Sequence, residues 1–167
     1  MQSVLFICTG NVFRSLVAEH ALKALIGSDV GYTVNSAGIE ALPQAVHPLI
    51  RERLRLKGCD LVTHEPRKLS RDLLDKTTLP VAMGFNHQDF LRQTFNRDVR
   101  LFNEVCFQKR EPILDLHEAL PNWQSDLKAS RAYVLSVIDY IFTAMPAFVT
   151  ALHALERRGH TLPDQPE

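Results

Sequence analysis

The sequence predicts an α/β domain of three layers, a four-stranded parallel sheet flanked by helices. Three observations carry this. Short apolar runs at 4–7, 32–35, 79–83 and 99–102 alternate with stretches of helical period, the order produced by repeated strand–helix–strand units. The chain has 167 residues, 46% of them hydrophobic, enough for one well-filled core and too few for two ordinary domains. Residues 1–167 are therefore read as one unit, with a mobile tail from 158 onward. Finally, the first apolar run delivers a tight loop, Cys8-Thr9-Gly10-Asn11-Val12-Phe13-Arg14-Ser15, onto the start of a helix, and parallel sheets bind ligands at such strand ends.

Taken in order, Val4-Leu5-Phe6-Ile7 is apolar without interruption, as a strand covered on both faces must be. Leu16, Ala18, Leu22, Leu25 and Ile26, with Gly27 beyond, mark the first helix. Tyr32-Thr33-Val34-Asn35 is the second strand, closing a right-handed crossover, and Ser36-Ala37-Gly38 taken alone reads as a turn. Val46, Leu49, Ile50 and Leu54, between Pro48 and Gly58, give the second helix. Ser70 caps a short helix over 71–74, and the third strand, 79–83, begins beside Pro80. A helix over 86–95 and a fourth strand over 99–102 follow. Residues 103–125 lack periodicity, and a loop of that length in a compact domain is functional. Leu127, Val134, Ile138, Ile141 and Met145 lie on a long helix that Pro146 bends or restarts before 147–157.

Charge narrows the partners. With 19 basic and 19 acidic residues the chain has no global field, so neither nucleic acid nor an anionic membrane is expected, and any anion site must be local. Cys8, Cys59 and Cys106 are widely spaced, without CxxC spacing, and so suggest neither a metal set nor a disulfide framework. That usage suits a reducing compartment, and a cytoplasmic protein is expected. No basic segment leading a long apolar one opens the chain, and no uncharged run reaches ~18–20 residues, so neither signal peptide nor membrane span is expected.

The first loop carries the chemistry. A lone cysteine at a strand end is ordinarily a small buried hydrophobe. Here a Cys-x5-Arg-Ser spacing lies between strand and helix with Gly10 and Asn11, residue types that tolerate positive φ, inside it. Loop amides and a helix N-terminus converge on an anion, and they favour thiolate, the reactive form, at Cys8. Thr9, Gly10, Asn11, Val12, Phe13 and Arg14 would cradle the oxyanion, with the Arg14 fork on two of its oxygens. Ser15 would donate its hydroxyl to the sulfur.

Val4-Leu5-Phe6-Ile7-Cys8-Thr9-Gly10-Asn11 with Arg14-Ser15 resembles the low-molecular-weight protein-tyrosine phosphatase family, over residues 2 to about 142. The resemblance implies a small doubly wound domain. It also implies a phosphomonoesterase without metal or other cofactor, acting on a phosphorylated protein or small aryl phosphate through a phosphocysteine on Cys8. By the same resemblance Arg14 binds phosphate, Asn11 and Ser15 support the loop, and Ser36 of Ser36-Ala37-Gly38 supports it from the second strand. His64, in His64-Glu65-Pro66-Arg67, braces Asn11 or is an exposed loop histidine.

The chain departs from the family in places. Gly84 replaces the Asp that follows Met83 in many relatives, and the Asp-Pro of the proton-donating loop is missing. The nearest counterpart, Leu120-Pro121-Asn122-Trp123, puts Asn122 where the acid stands, with Trp123 as an aromatic wall or a packing residue. Asp115, Glu118 or Asp126 substitutes if the loop is shaped differently. Two readings follow: a working phosphatase, or a phosphate- or phosphotyrosine-binding module impaired by its missing acid. Arsenate reductases need two cysteines after the third strand, where this chain has Gly84-Phe85-Asn86-His87, so that reading is disfavoured. The protein-arginine phosphatase branch carries Thr at Val12, and many members carry a protective second Cys at Phe13.

Overall fold

A computed structural model describes residues 2–27 and 31–160. The elements are β1 (Gln2–Cys8), α1 (Arg14–Ile26), β2 (Tyr32–Gly38), α2 (Pro48–Leu56), α3 (Arg71–Asp75), β3 (Leu79–Ala82), α4 (Phe85–Phe95), β4 (Arg100–Leu101), α5 (Phe102–Phe107), α6 (Leu116–Ala119) and α7 (Leu127–His160). The sheet is parallel throughout in the order β2-β1-β3-β4, so successive connections leave β1 toward opposite edges. That reversal opens a crevice at the carboxyl end of β1, and Cys8 is the residue there.

Alternation along β1 feeds two cores. Val4, Phe6 and Cys8 join α1, α5 and α7 on one face, where Phe6 packs on Phe102 and Phe148, whose stacked rings lie 5.7 Å apart. Leu5 and Ile7 face the other way onto Leu69, Leu74 and Leu91. The expected three layers thus have a physical source in the two-residue period of a strand.

Several boundaries differ from expectation. β2 runs through Gly38, so Ser36-Ala37-Gly38 is strand rather than turn, in register with Phe6, Ile7 and Cys8 of β1. β4 is two residues long because Phe102 already opens α5, with the Glu104 carboxylate accepting from Leu101 N at 2.6 Å. Residues 103–125 contain most of α5 and all of α6, elements too short to leave a periodic signature. α7 continues through Pro146: the proline is on the solvent side, while Met145 and Phe148 bury the opposite side, and packing outweighs the lost hydrogen bond. The helix is long and apolar enough to cross a membrane by length and composition, yet Ile138, Ile141, Met145 and Phe148 are core residues. It reaches His160, so residues 158–160 of the expected tail are helical, and residues 161–167, where the rest of that expectation falls, lie outside the described residues.

Candidate active site

The loop after β1 is seated on β2. Cys8 pairs with Gly38, and a Cβ at Gly38 would lie 2.4 Å from the Thr9 carbonyl oxygen and 2.9 Å from Asn11 N, so only glycine lets the two backbones approach this closely. Ile39 N and Glu40 N donate to the carbonyls of Cys8 and Thr9, both at 2.9 Å.

Asn11 then turns the chain in the left-handed region, φ 56°. Its buried side chain donates through Nδ2 to Ser15 Oγ at 3.1 Å and Ser36 Oγ at 2.7 Å, while Oδ1 accepts from Arg67 N at 2.9 Å. His64 Nε2 donates to the Asn11 carbonyl at 2.9 Å, and Ser36 Oγ donates to the buried Glu19 carboxylate. The direction of these bonds matters. Ser15 Oγ accepts from Asn11, which leaves its own hydrogen for Cys8 Sγ at 2.8 Å. Among the described residues, no acceptor is taken by the amides of Gly10, Asn11, Val12 and Phe13. Successive free amides at a helix start are the means by which backbone binds an oxyanion.

Arg14 is 1% exposed, the largest fully buried side chain among the described residues. Its Nη1 donates to the Ile113 carbonyl at 2.8 Å and its Nη2 to Asp115 Oδ2 at 2.8 Å, with Glu118 Oε2 3.6 Å from Nη1. Asp115 is also the cap of α6: its Oδ1 accepts from Leu116 N at 2.8 Å, and Glu118 returns a carboxylate to Asp115 N at 2.6 Å. The approach to Asp115 is fixed on two further sides, by Ile113 N on the Met83 carbonyl at 2.8 Å and by the Tyr133 hydroxyl on the Leu114 carbonyl at 2.7 Å. Burial pushes the Tyr133 phenol up, so it stays a donor.

Asn122 is not among the residues that contact Arg14. Asn122 lies in an exposed turn, where its carbonyl accepts from Ser125 N at 3.0 Å and Asp126 N at 2.9 Å. Asp126 caps α7 through Ala129 N at 2.9 Å, and Trp123, 37% exposed, offers its carbonyl to Ser130. These residues make turn and cap; Asp115 and Glu118 are the carboxylates brought to Arg14. Leu116, not proline, follows Asp115, and the buried Ile113 two residues before it seats the segment. Val12 is half-buried on the loop, and Phe13 is folded into the core beside α1.

His87 is a residue that sequence reasoning passed over. It is fully buried on α4, its Nδ1 accepts from Gly84 N at 2.9 Å, and its Nε2 lies 3.0 Å from Thr9 Oγ1. Burial first, then the Arg14 charge, lowers its pKa from 6.5 to about 3, so the ring is neutral. The same contact accounts for Gly84: a Cβ there would lie 2.8 Å from Asn86 Oδ1 and 3.3 Å from His87 Nδ1. The available signal was positional, since β3 neighbours β1 and the residues after both strands must meet.

Comparison with known proteins gives the same picture. Residues 3–157 match the family described as low molecular weight phosphotyrosine protein phosphatase. Among curated proteins the chain is similar to the protein-arginine-phosphatase of Bacillus subtilis (strain 168), 26% identical over 121 residues, 68% of this chain and 74% of that one. It is also similar to arsenate reductase 2 of Staphylococcus haemolyticus, 33% identical over 82 residues, 49% of this chain and 60% of that one. The low molecular weight protein-tyrosine-phosphatase Ptp of Acinetobacter johnsonii is 32% identical over 98 residues, 56% of this chain and 65% of that one. The latter two matches thus span less than two thirds of the relatives' length. Among solved structures, the YwlE arginine phosphatase with a phosphorylated active-site serine superposes with a TM-score of 0.79 at 23% identity, over 93% of this chain and 99% of that one.

Proposed function

The chain belongs to the low molecular weight phosphotyrosine protein phosphatase family, and we propose that it hydrolyses phosphomonoesters, phosphotyrosine in proteins among them, through a phosphocysteine on Cys8. The observation that carries this reading is the convergence of three things: Cys8 bonded to Ser15, free loop amides, and Arg14 held between Asp115 and the Ile113 carbonyl.

In the proposed reaction the Cys8 thiolate attacks phosphorus and a sulfur–phosphorus bond forms as the ester oxygen–phosphorus bond breaks. Arg14 and the amides of residues 10–13 hold the equatorial oxygens. The departing oxygen takes a proton from the Asp115 carboxyl, which becomes a carboxylate. Water then attacks the phosphocysteine, gives a proton to Asp115, and releases phosphate and thiolate, with the Ser15 hydroxyl receiving the negative sulfur. A dianion in the loop competes with Asp115 for Arg14, and a carboxyl that holds a proton beside that dianion escapes its repulsion. The binding-module alternative rested on a missing acid, with Asn122 standing in its place; a carboxylate beside Arg14 supports turnover instead.

A second substrate class has a specific observation in its favour. Asp115 and Glu118 together would suit a cationic leaving group such as the guanidinium of phosphoarginine, the substrate named for the Bacillus relative, although Val12 resembles the tyrosine-directed pattern. A cytoplasmic location is part of the proposal, because a thiol nucleophile needs a reducing compartment. The test is turnover of phosphotyrosine and phosphoarginine peptides side by side, with rapid-quench detection of phosphate on Cys8. Turnover without a phosphocysteine, or turnover undiminished in Cys8→Ser, would overturn the mechanism.

A further inference from the structure

The geometry points to Thr9 as an additional oxyanion donor, its hydroxyl hydrogen aimed at a bound phosphoryl oxygen because His87, a positioning residue, takes up the other side of that hydroxyl. The argument is one of hydrogen-bond direction. Gly84 N can only donate, so His87 Nδ1, 2.9 Å away, holds a lone pair. A neutral imidazole with a bare Nδ1 carries its hydrogen on Nε2, and Nε2 lies 3.0 Å from Thr9 Oγ1. The ring therefore donates and Thr9 Oγ1 accepts. Thr9 must then direct its own hydrogen elsewhere, and among the described residues no other partner takes it. Thr9 is partly exposed, adjacent in sequence to the nucleophile, and next to the four free amides of residues 10–13.

The arrangement is built rather than incidental. His87 is fully buried, and Gly84 lacks the side chain that would press on Nδ1 at 3.3 Å. Gly84, His87 and Thr9 thus form one unit spanning the ends of β3 and β1, and it fixes both the position of Thr9 and the sense of its hydroxyl. This deepens the phosphatase reading and rests on it.

The experiment measures inorganic phosphate affinity, together with kcat and KM for p-nitrophenyl phosphate, in wild type, Thr9→Val, Thr9→Ser, His87→Leu and the Thr9→Val/His87→Leu double variant. Thr9→Val should weaken phosphate binding by about tenfold, the effect of losing one donor to a charged acceptor, while Thr9→Ser stays near wild type. The double variant should lose no more than Thr9→Val alone, since His87 acts through Thr9. Nitrogen NMR of the wild-type ring should report a single Nε2–H tautomer, a readout that does not depend on how well His87→Leu folds. A protonated Nδ1, additive losses in the double variant, or Thr9→Val equal to wild type overturns the proposal while the phosphatase reading survives. A wild-type protein that neither binds phosphate nor turns over ester overturns both.

Discussion

Arg14 Nη2 lies 2.8 Å from Asp115 Oδ2, so the cation assigned to the phosphate is already bonded to the carboxylate assigned to the proton. A bound dianion and Asp115 would then draw on one guanidinium. Asp115→Asn should separate the two roles. Phosphate should bind more tightly, because an uncharged competitor is easier to displace, while turnover of aryl phosphates whose phenol has a pKa of about 10 falls roughly 10²-fold. Nitrophenyl phosphate should fall far less, and Asn122→Asp should change neither. A series of aryl phosphates on wild type, these two variants and Glu118→Gln is the measurement, and a steep dependence created by Glu118→Gln but not by Asp115→Asn sinks the assignment.

Arg14→Lys should be severe despite equal charge. Arg14 reaches the Ile113 carbonyl and Asp115 with separate nitrogens, and a single ammonium cannot serve both positions or two phosphate oxygens. An ammonium that reaches only one of them leaves a largely buried acceptor without its partner, at a cost of about 1–3 kcal/mol, so denaturant midpoints and phosphate affinity should both drop. Near-normal values of either would take Arg14 out of the mechanism.

The three thiols should be told apart by alkylation near neutral pH. Cys106 is pushed up to about 12 by burial, and burial raises Cys59 as well, whereas Cys8 has Ser15 Oγ at 2.8 Å and the free amides beside it. Cys8 should be modified first and phosphate should protect it; peptide mapping after a short exposure to iodoacetamide reads this directly. Equal labelling of all three contradicts the activated thiol.

Gly38→Ala tests the seating of the loop. The added methyl would meet the Thr9 carbonyl at 2.4 Å and Asn11 N at 2.9 Å, backbone atoms that cannot swing aside. A loss of about 1–3 kcal/mol in unfolding free energy is expected, with a larger proportional loss of phosphate binding than Gly27→Ala, where nothing stands within 4 Å.

His87 should leave a mark on stability against pH. Its pKa is 6.5 unfolded and about 3 folded, so above pH 6.5 both states are neutral and its contribution is whole. Below that the unfolded chain takes a proton that the folded one refuses, and stability falls by about 1.4 kcal/mol per pH unit until pH approaches 3. Urea titrations at pH 7 and pH 5 should show this loss in wild type and a smaller one in His87→Gln. Equal slopes would mean that His87 titrates freely.

The sheet and the loop were legible because their signals are local: an unbroken apolar β1, then Cys8 to Ser15 at a helix start. Ser36 and His64 entered through resemblance, and each hydrogen-bonds Asn11. Asp115 was among the candidates but could not be chosen, since its partner Arg14 is 101 positions away and the path between them includes α5, a helix too short to announce itself. His87 and Tyr133 were invisible for a related reason. Each acts by a single hydrogen bond across strand order or onto a backbone carbonyl, and neither leaves a spacing in the chain.

Asn11 joins α1, β2 and the 64–67 segment through one side chain and one carbonyl. A loop tied at so many points has no separate melting of its own: the elements that hold it are those of the sheet and core. Activity and secondary structure should thus disappear at the same denaturant concentration, with no range in which the protein is folded and inert. Pressure, denaturant or heat would silence the enzyme only by dismantling it.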